Sequence, residues 1–241
     1  KIQKIKPDAV GISIPFSINA KSAYTIAKYI KEYDKNIAVI IGGHHPSVRP
    51  YEVLENKNID YIVIGEGEQT IVELCDILEK KEFEKLHFIK GIGFKKNNEI
   101  IITEKRNFIE NLDNIAFPAR HLVQMEEYFN AMKSGLGARN MYTCDNRWVS
   151  MITSRGCPFS CNFCSIHLTM GRKFRARSVD NVIAEIKQVI DTYDISHINF
   201  EDDNLTLDIK RAEKLFDEIL KNNLDFSWST PNGLRADTLN E

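Results

Sequence analysis

Short, continuous apolar runs alternate along this chain with stretches of helical periodicity. The first run, Asp8-Ala9-Val10-Gly11-Ile12-Ser13-Ile14, predicts a buried strand. From Ser22 to Asp34, Ala23, Ile26, Ala27 and Ile30 recur at helical spacing, with Ser22 placed to cap the helix. Ile37 to Ile41 reads as a second buried strand ended by Gly42-Gly43, and a short helix follows near Pro50 to Glu55. Tyr61 to Ile64 is a third strand, closed by Gly65-Glu66-Gly67-Glu68, and a helix runs from about Gln69 to Leu78. Apolar strands alternating with amphipathic helices predict a parallel sheet covered on both faces. Gly91 to Lys95 and Glu99 to Thr103, flanking Lys96-Asn97-Asn98, read as a hairpin.

The pattern weakens from Glu104 to Arg147, where Met125, Tyr128, Phe129 and Met132 read as packing residues of a connector and Gly135 to Arg139 as a mobile loop. From Trp148 it resumes. Trp148 to Ile152 is a strand, Ser178 to Tyr193 a helix capped by Ser178, and Ile195 to Phe200 a strand ending in Glu201-Asp202-Asp203-Asn204. A helix from Ile209 to Lys221 and a strand from Asp225 to Thr230 follow, leading into Pro231-Asn232-Gly233-Leu234-Arg235. This beta-alpha repetition predicts a barrel or open parallel sheet with its chemistry at the strand ends. The organisation expected is residues 1–103, a connector 104–147, and a second domain 148–241.

Between the first strand and first helix of the second domain lies the chemically richest stretch. Three of the chain's five cysteines, Cys157, Cys161 and Cys164, fall within eight residues at spacing C-x3-C-x2-C. Thiolates are soft ligands suited to iron-sulfur clusters, zinc or copper(I). A structural zinc site needs four ligands, so zinc would have to recruit Cys144, His167 or a remote residue. A four-iron cluster on three thiolates leaves one iron free to bind something else. Of the other cysteines, Cys75 falls in an apolar helical pattern and reads as a buried packing residue, and Cys144 as a loop thiol.

Arg155-Gly156-Cys157-Pro158-Phe159-Ser160-Cys161-Asn162-Phe163-Cys164 resembles the signature of the radical S-adenosylmethionine enzymes, with Phe163 at the aromatic position before the last cysteine. The resemblance implies Cys157, Cys161 and Cys164 as ligands of a 4Fe-4S cluster whose free iron chelates S-adenosylmethionine. One electron then cleaves the sulfonium-carbon bond, giving methionine and a 5'-deoxyadenosyl radical. It also implies an electron donor such as flavodoxin or ferredoxin. Glu201-Asp202-Asp203 stands where that family meets the amino group of S-adenosylmethionine, although without the family's glycines. On this basis Glu201 and Asp202 are expected at the ammonium, and Asn232 and Arg235 at the ribose or carboxylate. Arg175 and Arg177 read as arginines flanking a helix on a solvated face.

In open parallel sheets, ligands bind beyond the carboxyl ends of the strands, where Ser13, Gly42-Gly43-His44-His45-Pro46 and Gly65-Glu66-Gly67-Glu68 all fall. Glycine after a strand is also ordinary turn chemistry. These segments resemble the cobalamin-binding domain that precedes many radical S-adenosylmethionine enzymes. The resemblance implies that Ser13, Gly42 and Gly43 surround the nucleotide tail of cobalamin, with His45 at the family's usual histidine. The Asp-x-His-x-x-Gly motif that supplies a cobalt ligand elsewhere is not in the sequence. His44 and His45 read as solvated loop side chains.

The resemblance extends from about Asp8 to Arg235. It implies an α/β chain made of a truncated Rossmann-like cobalamin-binding domain followed by the first part of a partial (β/α)6 radical SAM barrel. Two reactions are expected: methylation of an unactivated carbon or phosphorus with cobalamin carrying the methyl group, or radical rearrangement or cyclisation of the anaerobic porphyrin cyclase type. An electron carrier without turnover is the rival from another class. The chain opens on Lys1 and stops on a stretch that reads as a helix start, so a piece of a longer protein is expected.

Composition adds limits. With 32 basic and 34 acidic residues and a formal net charge of -2, spread without long blocks, nothing marks a nucleic-acid or membrane surface. A small-molecule or peptide substrate is expected instead. No apolar run reaches the roughly 20 residues that span a bilayer, and clustered cysteines fit a reducing compartment, the cytoplasm.

Overall fold

The computed structural model describes residues 2–133 and 147–238. Cys144, the loop Gly135 to Arg139 and the chain end at 239–241 lie outside the described residues. The chain forms two compact units, one of Lys1–Ile109 with Cys161–Met170, the other of Glu110–Ser160 with Gly171–Glu241. The division falls inside the cysteine loop, between Ser160 and Cys161.

The first unit is built on a five-stranded sheet. After a short helix α1 (Ile2–Ile5), strands β1 (Ala9–Ser13), β2 (Ala38–Gly42) and β3 (Tyr61–Val63) run parallel. The hairpin β4 (Ile92–Lys96) and β5 (Glu99–Ile102) adds an antiparallel edge, in the order β1-β2-β3-β4-β5. Successive residues of a strand point to opposite faces. Val39 and Ile41 accordingly enter a core with Ala23, Ala27 and Ile30 of helix α2 (Ala20–Tyr33). Ile40 enters a second core, and the short helices α3 (His44–Val48) and α4 (Pro50–Glu55) come before β3. That second core contains Leu74 of helix α5 (Glu68–Lys80). Both faces of β2 are covered, which is why its sequence is continuously apolar.

Two expectations fail here. The turn Ser17–Asn19 runs straight into α2, so Ser22 lies inside the helix and caps nothing. Cys75 is exposed beside the fully buried Leu74, because adjacent helical residues point about 100° apart and only Leu74 faces the sheet.

The second unit opens with the turns Leu112–Asn114 and Arg120–Leu122 and helix α6 (Met125–Lys133), whose Phe129 is fully buried. Strand β6 (Trp148–Met151) comes next. The two-residue strands β7 (Ser154–Arg155) and β8 (Arg175–Ala176) pair antiparallel and close the neck of the cysteine loop. Helix α7 (Val179–Tyr193) starts at Ser178, whose hydroxyl accepts from the Asn181 N–H at 3.1 Å. Strand β9 (His197–Phe200), helix α8 (Ile209–Lys221) and strand β10 (Ser227–Ser229) complete a parallel sheet in the order β10-β9-β6. Val149, Met151, Ile198 and Phe200 share one core with Val182, Ile186 and Val189 of α7 and Leu215 of α8.

Arg175 and Arg177 are not solvated. Arg175 is buried, and Arg177 reaches Glu185 of α7 at 2.5 Å while donating to Asn181 Oδ1 at 2.6 Å. Glu185 is itself buried and lies 2.7 Å from the Arg120 guanidinium, an ion pair out of hydrogen-bond alignment. A pattern read one residue at a time shows arginines beside a helix; in the fold Arg177 turns back onto α7 through Asn181 and Glu185, with its guanidinium over the Phe117 ring at 5.3 Å.

Candidate functional site

In the first unit the glycine-bearing loops gather at the carboxyl ends of the parallel strands. Ser13 and Gly42 are register partners at the ends of β1 and β2. Gly43 follows with φ +99, and a Cβ there would sit 2.8 Å from the Ile14 carbonyl oxygen, so the turn itself demands glycine. The turn brings the His45 N–H to the Ile14 carbonyl at 3.1 Å. His45 is then buried, its ring beside Ser17 Oγ at 2.9 Å and Tyr24 Oη at 3.4 Å, which corrects the expectation of a solvated histidine. Gly42 differs from Gly43: a Cβ at Gly42 would meet nothing within 4 Å. The fold does not need glycine there, and open space above it suits a ligand that approaches the backbone.

Ser47 joins two of these loops. Its hydroxyl donates to the Gly43 carbonyl at 2.8 Å and accepts from the Gly65 N–H at 2.9 Å. Sequence reasoning missed it, although a serine four residues after the glycine is the signal for this local bond. Around the third loop, the buried Glu66 accepts from the Ile109 N–H at 2.6 Å, a Cβ at Gly67 would crowd the Val63 side chain at 3.2 Å, and Glu68 opens α5. The carboxylate of Glu66 is thus used to hold the chain at Ile109.

The cysteine loop has distinct supports along its length. In the second unit the Cys157 N–H donates to the Gly171 carbonyl at 3.3 Å, and the Arg172 guanidinium donates to the Phe159 carbonyl and Ser160 hydroxyl at 3.1 and 3.0 Å. Arg235 lies over the Phe159 ring at 3.8 Å and pairs with Asp237 at 2.6 Å. In the first unit the Cys164 N–H donates to the Cys161 carbonyl at 3.1 Å, and Phe163 is 93% exposed. All three cysteines are free thiols and at least partly exposed. Among the described residues no three His, Cys, Asp or Glu side chains are gathered closely enough to enclose a metal ion. The donor set nonetheless fits an iron-sulfur cluster, with three soft, accessible thiols on one loop.

The acidic strand end turns out to be divided in its duties. Asp202 is buried; its carboxylate accepts from the Thr153 N–H at 3.1 Å, the Thr153 hydroxyl at 2.8 Å and the Ser154 hydroxyl. Burial pushes its carboxyl above the usual range against the pull of these donors and of Arg211. Asp203 accepts the Gly156 N–H, and burial and the neighbouring Asp202 raise its carboxyl too. These two acids therefore fix the entry to the cysteine loop, and Asp202 has no carboxylate oxygen turned outward for an ammonium. Glu201 remains half-exposed, bonded by the Ser150 hydroxyl at 3.0 Å, while Asn232 donates to the Glu201 carbonyl at 3.0 Å. Of the expected second-unit set, the structure joins Glu201 with Asn232, and Arg235 with the loop's Phe159.

Residues 1–75 match the family model described as the B12 binding domain, and residues 151–241 match that of the radical SAM superfamily. The uncharacterized methyltransferase PH0819 of Pyrococcus horikoshii is 36% identical over 242 residues, covering 100% of this chain and 49% of that protein. The cytidylyl-2-hydroxyethylphosphonate methyltransferase of Streptomyces wedmorensis is 30% identical, over 96% of this chain and 46% of its own length. An anaerobic magnesium-protoporphyrin IX monomethyl ester cyclase of Rubrivivax gelatinosus is 29% identical, over 95% and 39%. The chain thus spans about half or less of the length of these relatives.

Among solved structures, the cobalamin-dependent S-adenosylmethionine radical enzyme OxsB superposes with TM-score 0.70 at 22% identity, over 94% of this chain and 30% of that one. The radical S-adenosylmethionine methyltransferase TsrM of Kitasatospora setae does so with TM-score 0.67 at 18% identity, over 90% and 41%. These likenesses bear out the expected fold class. The two domain families imply a 4Fe-4S cluster, S-adenosylmethionine and cobalamin as cofactors. The chain therefore belongs to the radical SAM superfamily, among the enzymes whose radical SAM domain follows a B12-binding domain.

Proposed function

We propose that this chain serves cobalamin-dependent radical methylation of an unactivated carbon or phosphorus. The observation that carries the reading is the cysteine loop itself: three free thiols at C-x3-C-x2-C, its entry pinned by Asp202 and Asp203 at the end of β9. Cys157, Cys161 and Cys164 are the proposed cluster ligands. Glu201 is the proposed acid for the ammonium of S-adenosylmethionine, and Asn232 and Arg235 flank it. Ser13, Gly42 and Gly43 are proposed to line the cobalamin tail, with the space over Gly42 left for it. Bound there, these cofactors supply reductive cleavage of S-adenosylmethionine to a 5'-deoxyadenosyl radical and carriage of a methyl group. The protein's own contribution is to orient them and exclude water. The electron donor is a flavodoxin or ferredoxin, the substrate a small molecule or peptide, and the setting a reducing compartment, the cytoplasm. No helix among the described residues is long and apolar enough to cross a membrane.

Anaerobic reconstitution with iron and sulfide, followed by electron paramagnetic resonance of the reduced protein, tests the reading. A cluster signal that changes on adding S-adenosylmethionine and vanishes in Cys161→Ala supports it. Retention of zinc in place of iron rejects it. The relatives named as porphyrin ester cyclases favour a second reading, radical cyclisation. Isotope-labelled S-adenosylmethionine separates the two, since only methylation delivers the labelled methyl group to product.

A further inference from the structure

The adjacent histidines of Gly42-Gly43-His44-His45 are put to different uses by the turn at Gly43. His45 is locked inward by Ser17 and Tyr24. His44 is half-buried at the start of α3, and its Nδ1 lies 2.9 Å from the hydroxyl of Thr169. The two residues stand 125 positions apart, yet both belong to the first compact unit, because Cys161–Met170 packs with it.

Within that short segment the backbone bonds to itself. The Cys164 N–H reaches the Cys161 carbonyl at 3.1 Å, and the Leu168 N–H reaches the Ser165 carbonyl at 3.0 Å. The Thr169 and Met170 N–H groups both reach the Ile166 carbonyl, at 3.0 and 2.8 Å. The segment is therefore a chain of tight turns from the last two cysteines to Met170. Thr169 is buried, and its hydroxyl also donates to the Ile166 carbonyl at 3.2 Å. A hydroxyl has one proton to give. With that proton on Ile166, the hydroxyl must accept from His44, which fixes the ring as its Nδ1–H tautomer. The bond does not depend on the charge of the ring, since neutral and protonated forms both carry Nδ1–H.

We propose that His44 is a positioning residue for the cysteine loop: by holding Thr169 it anchors the turns that carry Cys161 and Cys164 to the glycine-rich rim of the B12-binding domain. The inference rests on the radical SAM reading of those cysteines. Loss of the tie frees the turns, so two of the three thiolates lose their fixed starting point for holding a cluster. Outer partners that orient ligands in this way typically change metal affinity by about 10–100-fold when removed.

Hydrogen exchange on the full chain without cluster or cobalamin reads the anchor directly. His44→Ala and Thr169→Val should each speed exchange across residues 161–170 by about five- to thirtyfold, the equilibrium equivalent of losing one buried hydrogen bond. The β1–β3 sheet should be unchanged, and Thr169→Ser, which keeps the hydroxyl, should match the wild type. After reconstitution without cobalamin, the two disruptive variants should retain about tenfold less iron under chelator challenge. They should share an altered resonance line shape, and combining them should add nothing further. Unchanged exchange overturns the proposal, as does faster exchange with wild-type iron retention and line shape. A wild-type chain that takes up no cluster rejects the function proposed above, and this inference with it; a wild-type cluster indifferent to His44 rejects the positioning role alone.

Discussion

Removal of Glu185 should cost the second unit heavily. It is 1% exposed in the middle of α7, with Arg120 at 2.7 Å on one side and Arg177 at 2.5 Å on the other. Both guanidiniums are themselves largely covered, at 10% and 11% side-chain exposure. Glu185→Ala leaves two buried cations facing each other without their anion. Breaking a buried pair by deleting one partner costs about 3–5 kcal/mol. For a chain of this size that corresponds to a fall of about 6–20 °C in melting temperature. Glu185→Gln keeps an acceptor and should recover roughly half of the loss.

The assay is denaturant unfolding followed by tryptophan fluorescence. The two tryptophans of the chain, Trp148 and Trp228, both lie in the second unit, and Trp228 stacks on Phe216 at 4.8 Å. The signal therefore reports that unit alone. A cycle with Arg120→Ala should give a coupling of about 1–3 kcal/mol with Glu185→Ala. A Glu185→Ala protein within about 1 kcal/mol of wild type would refute the account, since a solvated surface triad has that size.

Four further outcomes follow from the sites. Gly42→Ala should leave the stability of the cofactor-free chain within about 0.5 kcal/mol, since its Cβ meets nothing, yet weaken cobalamin binding by calorimetry. Gly43→Ala should instead destabilise the fold by about 1–3 kcal/mol through its positive φ and the Ile14 carbonyl, before any ligand is added. Asp202→Ala strands the Thr153 N–H and two hydroxyls, so about 2–4 kcal/mol should be lost in the same fluorescence assay, whereas Glu201→Gln should leave unfolding unchanged and weaken S-adenosylmethionine binding. Burial lowers the His44 imidazole below 6.5, so the unfolded chain protonates first as pH falls; stability should drop as pH is lowered through 6.5, and His44→Gln should remove that slope.

The sequence by itself determined the elements and the chemistry they carry. Short apolar runs marked β1, β2, β3, β6 and β9. The signature is fullest in the central strands β2 and β9, which are covered on both faces, whereas β1, expected to be buried, is an edge strand only partly covered. The spacing of Cys157, Cys161 and Cys164 was legible because one short loop holds all three. Only the tertiary structure decided how neighbouring polar residues divide their work. Asp202 turns inward to Thr153 and Ser154 while Glu201 stays half-exposed; His45 is buried at α2 while His44 holds Thr169; Arg177 and Arg120 converge on Glu185. Apart from Arg177 with Glu185, eight positions away, these pairings join residues far apart in the chain. Periodicity records which face a residue occupies, but not which distant donor waits there, so such choices are made by packing and hydrogen-bond satisfaction rather than by local pattern.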